Sequence, residues 1–143
     1  MKFLVMVQGS QADYDAMSGR GSAEGGPAWS EQDRKTMFAH MEALNKDLEA
    51  SGEMLYCDGL TAPDETRFVT ASADGGPPVV ADAPYDRAQV LLAGYWVLDC
   101  AGLDRATEIA ARVVACPQPE GAPYRPVAIR PIGEAPQEDL APA

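Results

Sequence analysis

The stretch Val79-Val80-Ala81-Asp82-Ala83-Pro84-Tyr85-Asp86 runs, a few residues later, into the apolar segment from Leu91 to Leu98. The valines predict one strand, and the apolar segment, which contains Gly94-Tyr95-Trp96, predicts a second strand from Leu91 to Asp99. An ordinary hairpin closes with two or three residues, whereas about eight residues of mixed polarity separate these strands. Extra length at the end of a strand is a common location for binding groups. The stretch therefore predicts a sheet with a candidate site at one end.

Two amphipathic helices lie between the other predicted strands. The first begins after the N-cap residue Ser30 and ends at Ser51-Gly52, with apolar residues at helical spacing between them. The second carries its apolar residues between Leu103 and Val113 and ends near Cys116-Pro117. The valine strand is predicted at residues 78–81, and the remaining strands are predicted at residues 2–8, 53–60, 67–70 and 126–130.

This order of elements predicts an α+β fold, a ferredoxin-like sandwich in which an antiparallel sheet carries two helices on one face. The predicted strand that contains Gly94-Tyr95-Trp96 has apolar side chains on both faces, with Tyr95 and Val97 on one face and Trp96 and Leu98 on the other. The helices can cover one face only, so something else must cover the second. We therefore predict a homodimer that packs through the sheet face.

The chain is expected to form a single domain over residues 1–132. Residues 9–29, rich in Gly, Ser and acidic residues, are interpreted as a long loop with a short helical turn around Asp13–Met17. This loop could act as a lid, and Trp29 at its end could anchor it to the body. Residues 133–143, rich in Pro, Ala, Glu and Gln, are expected to form a flexible C-terminal tail.

Charge and composition exclude several functional classes. The net charge of −11 disfavours nucleic acid and anionic membranes as partners, and no apolar run approaches the ~20 residues of a membrane span. The three widely spaced cysteines suggest free thiols in a cytoplasmic protein. No cluster of His, Cys or acidic residues has the spacing of a metal site, and no glycine-rich segment matches a phosphate-binding loop, so we predict neither metal nor cofactor.

Several motifs resemble those of one known family. Asp82-Ala83-Pro84-Tyr85 corresponds to an Asp-Gly-Pro-Phe motif, with Ala and Tyr in place of Gly and Phe. The strand Gly94-Tyr95-Trp96-Val97-Leu98-Asp99, the helix that follows it and the closing Arg130-Pro131 also fit. The chain thus resembles the YCII-related, DGPF-type proteins over about residues 2–8 and 31–132. The resemblance implies a dimeric α+β barrel built on a ferredoxin-like unit.

The resemblance also implies a candidate acid–base pair, although the activity of the family is poorly defined. Some members are proposed to be enzymes that use a His and an Asp, and His40 lies in a helix segment that fits the histidine of the family. His40 and Asp82 are therefore the candidate catalytic residues. Alternatively, His40 is a border histidine bonded to solvent or backbone, and Asp82 stabilises a turn by accepting backbone N–H bonds.

Tyr85, Asp58 and Trp29 are the candidate substrate-binding residues. The alternatives are a half-buried aromatic for Tyr85, a turn residue for Asp58 and a packing residue for Trp29. Arg67, Arg87 and Arg130 could bind an anionic substrate or form surface ion pairs. Two functions stay open: a small-molecule-binding dimer with a possible acid–base site, or a non-catalytic regulatory or interaction dimer. Related genes beside or fused to sigma-factor-like regulators link the second function to transcription.

Overall fold

The computed structural model describes residues 1–82 and 86–133. A 3₁₀ turn, Pro63–Glu65, lies between two of the strands. The other elements of this part of the chain are, in order, β1 (Lys2–Gly9), α1 (Gln11–Met17), α2 (Glu31–Ser51), β2 (Met54–Gly59), β3 (Phe68–Thr70), β4 (Val79–Ala81), β5 (Leu91–Asp99), α3 (Leu103–Val114) and β6 (Ala128–Pro131).

The main sheet has four strands in the order β2-β5-β1-β6, and every neighbouring pair is antiparallel. Strands β1 and β2 are therefore parallel to each other and are connected through α2, whereas β5 and β6 are parallel and are connected through α3. Two interleaved β-α-β units of this kind define the ferredoxin-like fold. The predicted fold class is confirmed.

Helix α2 begins and ends where the sequence predicts. The Ser30 hydroxyl accepts a hydrogen bond from the Asp33 backbone N–H at 3.0 Å, and the Asp33 carboxylate accepts one from the Ser30 N–H at 2.8 Å. This capping box satisfies two donors that the first turn of the helix would otherwise leave unpaired. The helix stops at Gly52, whose φ of +76° is the left-handed conformation that favours glycine at a helix end.

The core lies between the two long helices and one face of the sheet. Leu44 of α2 and Ile109 of α3 are buried there against Val5 of β1 and Trp96 of β5. The Trp96 indole Nε1 donates a hydrogen bond to the Asn45 Oδ1 at 2.8 Å, so the polar edge of the ring is satisfied. This packing fixes which side chains of β1 and β5 point away from the helices.

Residues 9–29 are more regular than the long loop expected from the sequence. They contain α1, which is capped by Ser10 through a second reciprocal box with Asp13 at 3.1 and 3.0 Å. The rest of the segment folds back on this helix, because the Trp29 N–H donates to the Ala16 carbonyl at 2.8 Å and Gly25 is buried against it. The helix includes the helical turn predicted around Asp13–Met17, and it is anchored by its contacts with other parts of the chain.

The predicted hairpin is present as β3 and β4, which form a separate two-stranded sheet. At its tip the Asp74 Oδ1 accepts hydrogen bonds from the Ser72 hydroxyl and the Gly76 N–H, and Gly75 adopts a positive φ. Every residue of both strands is exposed to solvent. Of the tail predicted over residues 133–143, residues 134–143 lie outside the described part.

Candidate functional site

The face of the sheet that points away from α2 and α3 is largely apolar. Since Val5 and Trp96 are buried under the helices, the alternating residues of β1 and β5 point to the other side. The pairing register extends this side to β2 and β6. We call this surface the open face, and its members are Leu4, Met6, Tyr56, Asp58, Tyr95, Val97, Ala128 and Arg130.

Two tyrosines and one carboxylate form a polar cluster on the open face. Asp58 of β2 lies opposite Tyr95 of β5 in the sheet, and the Tyr56 hydroxyl donates to the Asp58 Oδ2 at 3.0 Å. The rings of Tyr56 and Tyr95 are tilted, with centroids 6.0 Å apart. The hydrogen bond to Asp58 raises the pKa of Tyr56, so its hydroxyl remains protonated at neutral pH.

Asp58 also shapes the end of its own strand. Its Oδ1 accepts a hydrogen bond from the Gly59 N–H at 2.9 Å, which fits the turn role considered from the sequence. Each carboxylate oxygen has about two lone pairs, so both can still accept a hydrogen bond from a bound molecule. The substrate-binding role predicted for Asp58 thus has a suitable location, on a face that also offers aromatic surface.

Asp82 lies at the base of the β3–β4 hairpin, immediately after β4. Its Oδ1 accepts a hydrogen bond from the Arg67 Nε at 2.9 Å, and both side chains are largely exposed. This ion pair joins the residue before β3 to the residue after β4. Arg67 therefore has a surface partner, as the alternative interpretation of the arginines expects, and Asp82 closes the base of the hairpin.

The segment after Asp82 is attached to helix α1. The Ala12 N–H donates to the Arg87 carbonyl at 3.0 Å, and the Arg87 guanidinium contacts the Asp15 Oδ2 at 2.7 Å. Asp15 is buried, with 8% of its side chain exposed, and its Oδ1 accepts from both Gln11 and Arg20. Helix α1 therefore anchors the chain at Arg87, ahead of β5.

The ionised form of Asp15 is stabilised in spite of its burial. Burial by itself raises the pKa of this carboxyl, but the hydrogen bonds from Arg87 and Gln11 and the positive charges of Arg87 and Arg20 outweigh it and hold the pKa below its ordinary value. Asp15 thus carries a negative charge at neutral pH and holds both arginines.

Two more contacts attach α1 to the end of the sheet. The Tyr14 hydroxyl is 2.9 Å from the Leu60 carbonyl and 3.3 Å from the Ala93 carbonyl, and burial raises the pKa of Tyr14. On the other side, Arg125 forms a two-pronged ion pair with the carboxylate of Asp13. The end of the sheet nearest the predicted site is therefore closed by a fixed helix.

His40 lies in the helical layer, where its Nε2 is 2.7 Å from the Arg112 carbonyl of α3. A carbonyl only accepts hydrogen bonds, so the Nε2 donates and carries the proton. This contact is the backbone-bonded alternative considered from the sequence. His40 and Asp82 are thus held by different partners, and no hydrogen bond among the described residues joins them. Their catalytic pairing stays a prediction.

The other two predicted binding residues have different outcomes. Trp29 is half-buried, and its carbonyl accepts a hydrogen bond from the Arg34 side chain, which also bonds the Met17 carbonyl. It therefore anchors the segment that contains α1, and a substrate contact by its ring stays a prediction. Tyr85 lies outside the described residues, as do Ala83 and Pro84.

Two other depressions on the described surface are shallow, and one of them lies along α2 between Phe38 and Glu49. A shallow depression at the start of α3 is lined by Glu53, Arg105 and Glu108, but these groups already form ion pairs with one another. Over the same residues, no group of three or more His, Cys, Asp or Glu side chains has an arrangement that could hold a metal ion. No helix there is long and apolar enough to cross a membrane.

Comparison with known proteins identifies the family. The model of the YCII-related domain matches residues 1–132 of this chain. The chain belongs to the YCII-related family. A YCII-related fold therefore carries the open face, and the resemblance drawn from the sequence motifs is confirmed. The family gives no reaction for this chain.

A relative in Rhizobium meliloti (strain 1021) is similar to this YCII-related protein. It is the "Uncharacterized protein R00369", which is 27% identical over 111 residues, covering 76% of this chain and 87% of the relative. The similarity extends over most of both chains, and the name of the relative assigns no activity to it.

Sequence reasoning missed two features of this region. Asp15 was passed over because an acidic residue in a glycine-rich, acidic segment resembles any solvated carboxylate. The Tyr56–Asp58 contact was also missed, although an i, i+2 spacing in a strand places both side chains on one face. That spacing was the available signal, since Met54-Leu55-Tyr56-Cys57-Asp58 was already predicted to be a strand.

Proposed function

We propose that this protein is a homodimer that binds a small molecule at the open face, at the end of the sheet near Asp58. The observation that carries the proposal is the Tyr56–Asp58–Tyr95 cluster, which sets a carboxylate and two aromatic rings into an apolar sheet surface. Small-molecule sites are mostly apolar, with a few polar groups that fix orientation. The open face has this composition.

The homodimer follows from the same surface. A sheet face that leaves Leu4, Met6 and Val97 only half-buried is costly for a single chain, and a second copy packed face to face would cover it. Between two such sheets, the polar cluster would lie at the edge of an enclosed apolar space. Binding groups on the two copies would then form two equivalent sites.

The cluster favours a neutral or cationic ligand that carries a hydrogen-bond donor and a flat apolar part. Asp58 offers acceptor oxygens to the donor, and the tyrosine rings offer faces for the flat part. The net charge of −11 would repel an anion. Arg67 does not offset this charge, because it is already paired with Asp82, and Arg130 of the open face lies on β6, at the opposite edge of the sheet from β2 and Asp58.

Catalysis by His40 and Asp82 is the second part of the proposal, and the hydrogen bonds weigh against it. To act as an acid or base on a shared ligand, His40 would have to exchange its bond to the Arg112 carbonyl, and Asp82 its bond to Arg67. The contact of His40 favours the alternative of a non-catalytic ligand-binding or regulatory dimer. We expect binding to be measurable whether or not turnover occurs.

A thermal-shift screen against a metabolite library tests the proposal. Compounds that stabilise the wild type are then titrated into Tyr56→Phe and Asp58→Asn, which change the cluster, and into His40→Ala and Asp82→Asn, which change the predicted pair. We expect the first two variants to weaken binding by about tenfold, the loss of one hydrogen bond to a charged group. Binding that ignores both cluster variants would refute the site. Turnover that depends on His40 would restore the catalytic interpretation.

A further inference from the structure

The β3–β4 hairpin is a projecting element with an apolar surface. We call residues 67–82 the arm. Val69 and Val80 lie directly opposite each other in its two strands, so their side chains share one face of the ribbon. They are 64% and 57% exposed. The single chain thus leaves a pair of aliphatic side chains in water on a hairpin that is separate from the main sheet.

Local forces alone give the arm little stability. An isolated two-stranded hairpin is marginally stable in water, and this one has strands of only three residues each. The ion pair between Arg67 and Asp82 closes its base, but both side chains are exposed, and such pairs contribute little. A surface that packs against the Val69–Val80 face would therefore stabilise the arm as well as bury it.

The position of the arm relates it to the open face. The chain enters it after β2 and leaves it before β5, and these strands are paired neighbours whose ends meet where Gly59 lies opposite Gly94. Asp58 and Tyr95 lie opposite each other one residue further into the same pair. The arm therefore projects from the end of the sheet that carries the polar cluster, next to the surface that a second copy would cover.

The size of the open face indicates that a dimer needs more contact than the sheet provides. Four strands spaced ~4.8 Å apart and about six residues long at ~3.4 Å per residue give a footprint of roughly 400 Å². A stable interface buries about 800 Å² on each partner. Side-chain relief increases the area that the sheet can bury, and an additional surface would bring the dimer closer to this typical size.

Charge also favours the arm as that additional surface. The chain carries a net charge of −11, and two copies repel each other wherever charged surfaces meet. Between Phe68 and Ala81 the only charged residue is Asp74, at the tip. The two strands of the arm are therefore neutral, and they can approach an identical acidic chain at little electrostatic cost.

We propose that the arm is a dimerisation element, whose Val69–Val80 face packs against a second copy of this chain beside the contact between the two open faces. This inference rests on the homodimer of the proposed function. It adds a defined surface to that dimer and places Asp82, at the base of the arm, next to the interface.

Sedimentation velocity over a range of protein concentrations tests the arm. Val69→Thr/Val80→Thr keeps the side-chain shape and the strand preference, so the arm can still form. A dimer contains four substituted side chains, and we expect its dissociation constant to rise by about 100-fold. Val79→Thr is the matched control, since it makes the same change on the other face of the ribbon, and it should change the constant less than threefold.

Hydrogen exchange gives an independent measurement on the unmodified chain. The amides of the arm, residues 67–82, should exchange more slowly above the dissociation constant of the dimer than below it. An unchanged dissociation constant in the double variant, or arm exchange that is independent of concentration, would refute the arm. Val97→Glu, in the centre of the open face, tests the sheet contact separately: a dimer that tolerates it while responding to the arm variant would refute the face-to-face dimer and retain the arm. A wild type that stays monomeric at ~100 µM would refute both the arm contact and the face-to-face dimer. Ligand binding at the open face would then still be tested by Tyr56→Phe and Asp58→Asn.

Discussion

The ion pair between Asp15 and Arg87 should be a main anchor of the segment that leads from Asp86 into β5. Asp15→Asn retains the shape of the side chain but removes its charge, while Arg87 and Gln11 still point at it. A hydrogen bond to a charged group contributes about 1.5–3 kcal/mol, and Arg87 is half exposed, which favours the lower part of that range. We expect the variant to lose about 2 kcal/mol of unfolding free energy, or about 6 °C in Tm for a chain of this size.

The effect should depend on pH in a direction fixed by the lowered pKa of Asp15. A carboxyl whose pKa is lower in the folded than in the unfolded state adds stability above its unfolded pKa of about 3.9. That stability disappears as the pH falls through the folded pKa. The difference between wild type and Asp15→Asn in urea unfolding should therefore be constant from pH 7 to pH 5 and decrease below about pH 4.

A double-mutant cycle identifies which arginine contributes most of the stability that the Asp15 carboxylate provides. Asp15→Asn combined with Arg87→Met should show a coupling energy of about 1–2 kcal/mol. The same cycle with Arg20→Met serves as the control: Arg20 contacts the same carboxylate but is 76% exposed, so its coupling should be about 0.5 kcal/mol. Additive effects of Asp15 and Arg87, or a pH-independent difference, would refute the anchoring role.

Three other substitutions test contacts within the fold. Trp96→Phe removes the donor to Asn45 and part of a buried ring, and should cost about 2–3 kcal/mol in urea unfolding; a loss below 0.5 kcal/mol would contradict this. His40→Ala removes the bond to the α3 carbonyl and should cost about 1 kcal/mol, so unchanged stability would argue that this bond is not formed in solution. Gly25→Ala would push a Cβ into the backbone of Ala12 and should lower Tm by about 5 °C or more. An unchanged Tm would contradict the close packing of this segment on α1.

The elements that could be predicted are those whose signals are local. Ser30 and Gly52 delimit α2 because a cap and a left-handed stop act within one turn. The arm was found from Asp74 and the two glycines that follow it. Strand β5 was predicted with its observed bounds because its apolar run is long and ends at Asp99.

The sequence predicted only a helical turn where α1 forms, because the helix is short and polar and the residues that anchor it lie far away in the sequence. Arg87 and Arg125 hold it from more than 70 residues further along the chain, and no pattern within residues 9–29 shows those contacts. One local signal was available, since Ser10 and Asp13 repeat the spacing of Ser30 and Asp33. The partner of His40 could not be predicted for a related reason: it is a backbone carbonyl, which no side-chain pattern specifies.

The central claim, a binding site on the open face, is tested most directly by ¹H–¹⁵N NMR of the wild-type protein titrated with the compounds that stabilise it. The shifted amides should centre on Tyr56, Asp58 and Tyr95, and the shifts should be lost in Asp58→Asn. Shifts that centre on the helical layer around His40 and Arg112 and persist in that variant would contradict it.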